Sequence, residues 1–133
     1  MQQFNLSIVT PTGAVVDAPV DEVTLPGSEG EFGVLPAHQP ALIMLGGGMV
    51  TYRGPGGQGS VLVQGGVVEV RPDSILVLTD RAVMPADADR EAARALLDNV
   101  NAVMDGDTVI DDAMHRQQLA QRGYADAVLE ARD

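Results

Sequence analysis

Glu29, Glu31 and His38 are the residues best placed, by type and spacing, to do chemistry: two carboxylates and an imidazole within one short stretch can ligate a divalent metal. All three lie in a single loop rich in proline and glycine, where solvated side chains are the simpler reading, so no metal site is expected. His38 and His115 are the only histidines, and no Gly-x-Ser-x-Gly elbow surrounds any serine, which leaves a serine triad without its local signature. Every basic residue is an arginine, so chemistry that needs a lysine amine, such as a Schiff base or a phosphate-loop lysine, is excluded within this chain. Without cysteine there is no thiolate nucleophile, no disulfide and no cysteine zinc site, in keeping with a reducing compartment. Gly46-Gly47-Gly48 precedes no Lys-Ser or Lys-Thr pair and reads as a turn rather than a phosphate cradle. The acidic pairs Asp21-Glu22 and Asp111-Asp112 read as a strand edge and a helix start, and 3% aromatics are too few for a sugar-stacking platform. The expectation is a chain that performs no bond chemistry and holds no cofactor.

The formal charge of -11 on 133 residues repels nucleic-acid phosphates and anionic membrane surfaces, so neither is an expected partner. No apolar window is long enough to span a membrane, and Met1-Gln2-Gln3-Phe4 has no basic region leading into an apolar run, so neither membrane insertion nor a secretory signal is expected.

Two kinds of element follow one another. Residues 1–85 hold every proline and all glycines except Gly106 and Gly123, with alternating or β-branched runs between turn signals. That pattern predicts short antiparallel strands, because alternate side chains face opposite sides of a sheet. Phe4, Leu6 and Ile8 alternate, and Thr10-Pro11-Thr12-Gly13 reads as a turn. Strands are predicted at Val20 to Leu25, Leu42 to Leu45, Met49 to Arg53, Ser60 to Gln64, Val67 to Val70 and Ser74 to Thr79. Gly54 to Gly59 forms a hairpin tip and Arg71-Pro72-Asp73 a tight turn. The expected architecture is an antiparallel β-sandwich or flattened barrel.

Residues 86–133 change period. Ala93, Leu96, Val100 and Val103 recur at three- and four-residue steps, which predicts an amphipathic helix over about 88–104, capped by Asp87 or Asp89. Asp105-Gly106-Asp107 breaks it. A second helix, begun by Asp111 or Asp112, carries Ile110, Ala113, Met114, Ala120, Tyr124 and Val128, and the short connection makes the pair an antiparallel hairpin. Gly123 costs roughly 1 kcal/mol relative to alanine, so soft or bent last turns are expected. Alone such a hairpin is marginal, since burial of about 1.5–3 kcal/mol per large side chain competes with an ordering cost of about 1–2 kcal/mol per residue. It needs the sandwich or another protein to complete its apolar face.

One loop, Leu25 to Leu42, concentrates rigid backbone: Pro26, Pro36 and Pro40 restrict it, while Gly27, Gly30 and Gly33 allow tight turns. It reads either as a long sandwich crossover or as a docking patch in which Phe32, Val34 and Leu35 stand among charged neighbours.

At this loop the sequence resembles the epsilon subunit of the F-type proton-translocating ATP synthase, of bacterial or chloroplast type. The resemblance rests on Val23-Thr24-Leu25-Pro26-Gly27, on Gly30-Glu31-Phe32-Gly33-Val34-Leu35-Pro36, and on His38, Pro40 and Leu42. A second stretch, Gly65 to Val70 with Val77 to Ala82, looks like the family's strand pair near the end of its sandwich. The resemblance implies a non-catalytic subunit of the central rotor stalk: a sandwich over 1–85 that binds the gamma subunit and the c-ring, and a regulatory hairpin over 86–133 that reaches the alpha/beta catalytic head. It implies a c-ring and gamma contact through Glu31, Phe32, Val34, Leu35, Pro36, His38 and Gln39, on the cytoplasmic face of the bacterial inner membrane. In some family members ATP binds the folded hairpin through a motif whose nearest match here is Glu91-Ala92-Ala93-Arg94-Ala95. Glu stands there for Asp, and Arg90 stands where an apolar residue is expected; an ordinary helix-stabilising pair of Glu91 with Arg94 is the competing reading. The family's hairpin inhibits ATP hydrolysis partly through basic residues of its second helix. Here those are Arg116 and Arg122, with apolar packing of Met114, Leu119 and Tyr124. From Asp111 to Asp133 Arg116, Arg122 and Arg132 face Asp111, Asp112, Asp126, Glu130 and Asp133, so weak inhibition is expected. The alternative to a rotor subunit is a free-standing acidic β-sandwich that binds another protein.

Overall fold

A computed structural model describes residues 3–27, 30–34, 40–106 and 111–130. Eight strands run in the order β1 Phe4–Thr10, β2 Gly13–Val20, β3 Glu22–Gly27, β4 Gly30–Val34, β5 Ala41–Gly54, β6 Gly57–Arg71, β7 Ser74–Leu78 and β8 Ala82–Val83. A 3-10 turn at Pro85–Asp87 leads into helix α1, Arg90–Asp105, which is followed by helix α2, Asp112–Glu130. Along the sheet the strands lie β2-β1-β7-β6-β5-β3-β4, with β8 beside β6.

β5 and β6 form a long hairpin, whose two strands keep one register from Ala41 opposite Val70 to Gly54 opposite Gly57. The expected turn at Gly46-Gly47-Gly48 does not exist; these glycines lie inside β5, and Gly65-Gly66 lie inside β6. Instead of turning the chain, they kink it. Core residues Leu45 and Val50 are an odd number of positions apart, as are Val63 and Val68, and an unbroken strand cannot bury both members of such a pair on one face. The break falls where Gly65 and Gly66 adopt φ of 76° and 132°, a region closed to most side chains. Beyond the kink the hairpin enters a second layer, and side chains from β1, β2, β3, β4, β5, β6 and β7 meet in one core between the layers. The two ends of the sheet approach without closing it: the Asp21 amide donates to the Arg53 carbonyl, yet β2 and β5 form no ladder. The result is an open sandwich rather than a barrel.

Three further expectations are corrected. β1 pairs with β7 in parallel, so the sheet is not wholly antiparallel. The strand expected from Val20 to Leu25 is two strands broken at Asp21. The Leu25 to Leu42 loop contains a strand of its own, β4, hydrogen-bonded to β3.

Asp89 caps α1, its Oδ1 accepting from the Ala92 amide at 3.0 Å, and Asp111 caps α2 through the Met114 amide at 2.8 Å. The hairpin lies on the sheet. Leu62, Ala93, Tyr124, Ala125 and Val128 form a second buried cluster, with Met49, Val83, Leu96 and Leu97 packed against it. Ala120, Tyr124 and Val128 are buried as expected, but Ala113 and Met114 are exposed, because the first turns of α2 extend past the sheet's kink. Gly123 does not end α2, which runs through it unbroken. It is the contact point: a Cβ on Gly123 would lie 2.9 Å from the Gly47 carbonyl carbon, and one on Gly47 would lie 2.6 Å from the Tyr124 amide nitrogen. Both positions lack a side chain because helix and strand backbones meet there.

Candidate docking surface

The docking patch predicted in the Leu25 to Leu42 loop is only partly a surface. Glu31 is exposed on β4, opposite Pro26 of β3. Phe32 is half-buried, with its ring against Gly27 and the sandwich core. Val34 is 7% exposed and belongs to the core, which removes it from the predicted patch. Alternation explains this: on a strand pointing Glu31 outward, every second side chain turns in. Leu35, Pro36, His38 and Gln39 lie outside the described residues, as does Glu29, so of the proposed metal trio only Glu31 is seen. Among the described residues no cluster of three His, Cys, Asp or Glu side chains is arranged to hold a metal ion.

Among the described residues, exposed apolar side chains gather elsewhere. Met44 of β5 sits opposite Val67 of β6, Val67 opposite Leu78 of β7, and Leu78 beside Val9 of β1. Residues directly across a ladder share a face, so these four form one row across four strands on the outer side of the sandwich. Met44 and Leu78 are each 47% exposed, and Leu42, two residues from Met44 on the same face, is 75% exposed. The row has a polar border. Along one flank Arg71 pairs with Glu69 at 2.8 Å, and the Asn5 side-chain nitrogen donates to Ser7 Oγ and Asp17 Oδ1. A bare apolar row with a polar flank is in keeping with a protein interface, whose centre is apolar and whose edge is polar. Sequence reading missed it because Leu42 to Leu45 is apolar throughout, and such a run does not reveal which face is covered. The signal lay in Val67, Leu76 and Leu78, apolar at outward-facing positions of two adjacent strands.

The exposed start of α2 overhangs one end of the row. Met44 and Val67, with Leu119, Ala113, Arg116 and the glycines of the kink, line a cleft of about 730 Å³. The bare strip therefore continues from the sheet onto a helix.

The remaining candidates are on the hairpin. Glu91 and Arg94 are both exposed, and the ion pairs among the described residues are Arg53 with Glu22 and Arg71 with Glu69, so the expected Glu91–Arg94 pair is not formed. Arg116 is exposed at the cleft, whereas Arg122 points toward α1 and donates to the Met104 sulfur at 3.0 Å, with its Nε buried and unpartnered. These two arginines are not brought together in the packed hairpin. Tyr124 is buried under the Arg81 guanidinium, whose carbon lies 5.4 Å from the ring centroid. No helix among the described residues is long and apolar enough to cross a membrane.

Comparisons with known proteins bear on the chain as a whole. A family model described as the beta-sandwich domain of the ATP synthase Delta/Epsilon chain matches residues 3–85. An ATP synthase epsilon chain of Synechococcus is 33% identical over 118 residues, covering 89% of this chain and 86% of its own. The ATP synthase epsilon chain 2 of Syntrophotalea carbinolica is 38% identical over 119 residues, covering 90% and 86%. In solved structures, a chain of the Euglena gracilis mitochondrial ATP synthase, in an assembly of OSCP, F1 and c-ring, aligns over 96% of this chain and 80% of its own with a TM-score of 0.73 at 23% identity, a likeness of fold.

Proposed function

The chain belongs to the ATP synthase epsilon-chain family, and from that premise we propose that it is a non-catalytic coupling piece of the rotor, joining the gamma subunit to the c-ring at the cytoplasmic face of the membrane. The observation that carries this reading is the row Met44, Val67, Leu78 and Val9 with its polar border. A joint that transmits torque must be preformed, since ordering flexible side chains and loops on binding subtracts from affinity. A ladder-held sheet face supplies that rigidity. We assign this row to the gamma contact, and Glu31 with Leu35, Pro36, His38 and Gln39 to the c-ring contact.

The test is reassembly. Full-length chain carrying Met44→Asp and Leu78→Asp should bind purified gamma subunit at least tenfold more weakly than the native chain, because apolar anchors at the centre of an interface carry most of its energy. Undiminished binding by the double variant would remove the assignment.

The hairpin supports a second limb of the same reading, modulation of ATP hydrolysis by the catalytic head. Its acidic balance argues for a weak effect, so removing residues 88–133 should raise hydrolysis by the reassembled complex only modestly. A manyfold rise would contradict this.

A further inference from the structure

The packed hairpin is fastened to itself as well as to the sheet. Arg90, the first residue of α1, reaches across to the far end of α2: its Nη1 donates to the Val128 carbonyl at 3.1 Å and its Nη2 to the Leu129 carbonyl at 2.6 Å. These carbonyls belong to the last turn of a helix, where backbone acceptors have no intrahelical partner and the helix dipole favours a cation. α2 has no basic side chain in its own last turn, so the positive charge comes from the other helix. The same residue stands where the resemblance leads one to expect an apolar side chain at the start of α1.

We propose that Arg90 is an internal clasp that closes the open end of the hairpin, holding the end of α2 against the start of α1 with a group the chain itself supplies. The guanidinium is suited to this, because its planar fork serves two adjacent carbonyls at once, which a lysine ammonium does less well. The other fastenings differ in kind. Leu62 with its cluster, which includes Val128 in the last turn of α2, and the Gly47–Gly123 contact hold the hairpin by packing of side chains and backbone, whereas Arg90 acts on the free carbonyls of that last turn. The clasp is polar and its bond to the Leu129 carbonyl is exposed, so it adds to the packing at Val128 a fastening of a different kind. This inference rests on the hairpin being the regulatory element, and it names one fastening of that element's closed state.

Hydrogen exchange of the full-length chain tests it. Arg90→Ala should speed exchange of the amides over residues 125–130 by about tenfold, the loss expected for a charge-assisted hydrogen bond of about 1.4 kcal/mol, while amides of β1, β6 and β7 stay as they were. Arg90→Lys should fall between the two. Asp89→Ala removes the α1 cap but leaves the clasp, so it should affect the first turn of α1 and not the end of α2. Unchanged exchange at 125–130 in Arg90→Ala, or equal loosening there in Asp89→Ala, overturns the clasp. Hydrolysis by the reassembled complex is a separate readout: an Arg90→Ala chain that loosens α2 yet leaves hydrolysis unaltered keeps the clasp and removes the regulatory reading.

Discussion

Two rows of side chains on the outer side of the sandwich have nearly the same composition and opposite fates. On one side of the kink Met49, Leu62 and Val83 lie across β5, β6 and β8, and the hairpin covers them so completely that Leu62 has no exposed surface. On the other side Met44, Val67 and Leu78 lie across β5, β6 and β7, and Met44 and Leu78 keep nearly half their surface in water. Each is an apolar row, a methionine followed by two aliphatic residues. What differs is the cover. Among the described residues a helix pair covers the first, while only the start of α2 reaches one end of the second, and a bare apolar strip is the kind of surface that suits a partner.

The covered row should be the costliest to disturb. Leu62→Ala removes a fully buried side chain from beneath two helices and should lower stability by about 2–5 kcal/mol, read as a fall in thermal midpoint. A loss much smaller than this would mean that the hairpin sits loosely on the sheet. The contact that lets α2 approach comes next. Gly123→Ala improves helix propensity by about 1 kcal/mol, yet the added methyl meets the Gly47 backbone. Overpacking of this kind costs about 1–3 kcal/mol, and backbone cannot rotate aside as a side chain can. A net loss of about 1 kcal/mol is expected; a gain in thermal midpoint would show that the backbones are not in contact. A smaller effect is expected at the overhanging start of α2. There Asp111→Ala removes the cap on the Met114 amide and should cost about 1 kcal/mol or less, seen as faster exchange over residues 112–116 with the sandwich unchanged.

Several strands, the two helices and their caps were legible in the sequence because each rests on local chemistry: alternation in Phe4, Leu6 and Ile8, a stripe through Ala93 and Val100, and aspartates at 89 and 111; β2, β4 and β8 were not, because pairing with a neighbour rather than their own pattern makes them strands. The kink was not. Gly46-Gly47-Gly48 has the composition of a turn, and only its partner glycines across the ladder turn it into a bend shared by two strands. The role of Gly123 as a contact point was hidden for a related reason. Its cost to an isolated helix is intrinsic to the sequence, but the backbone contact that requires it involves Gly47, far away in the chain. The bare row was hidden because an apolar run such as Leu42 to Leu45 looks the same whether one face is covered or both. Of the residues assigned by resemblance, Val34 illustrates the limit: a motif places a residue in a loop's sequence, and strand alternation decides whether it points into the core.

The smallest effect should come from the bare row, and its smallness carries the comparison. Leu78 lies in that row between Val67 and Val9, with nearly half of its surface exposed. Leu78→Thr keeps a residue that suits a strand and removes part of an already hydrated apolar surface. Thermal unfolding of the free chain should therefore change by about 0.5 kcal/mol or less, the usual range for surface substitutions. The same substitution should weaken binding to the gamma subunit more than it weakens the fold, because in the complex that side chain loses its water. If the free chain instead suffers from Leu78→Thr as much as from Leu62→Ala, the two rows are energetically alike, and the bare one is part of the core rather than a surface reserved for a partner.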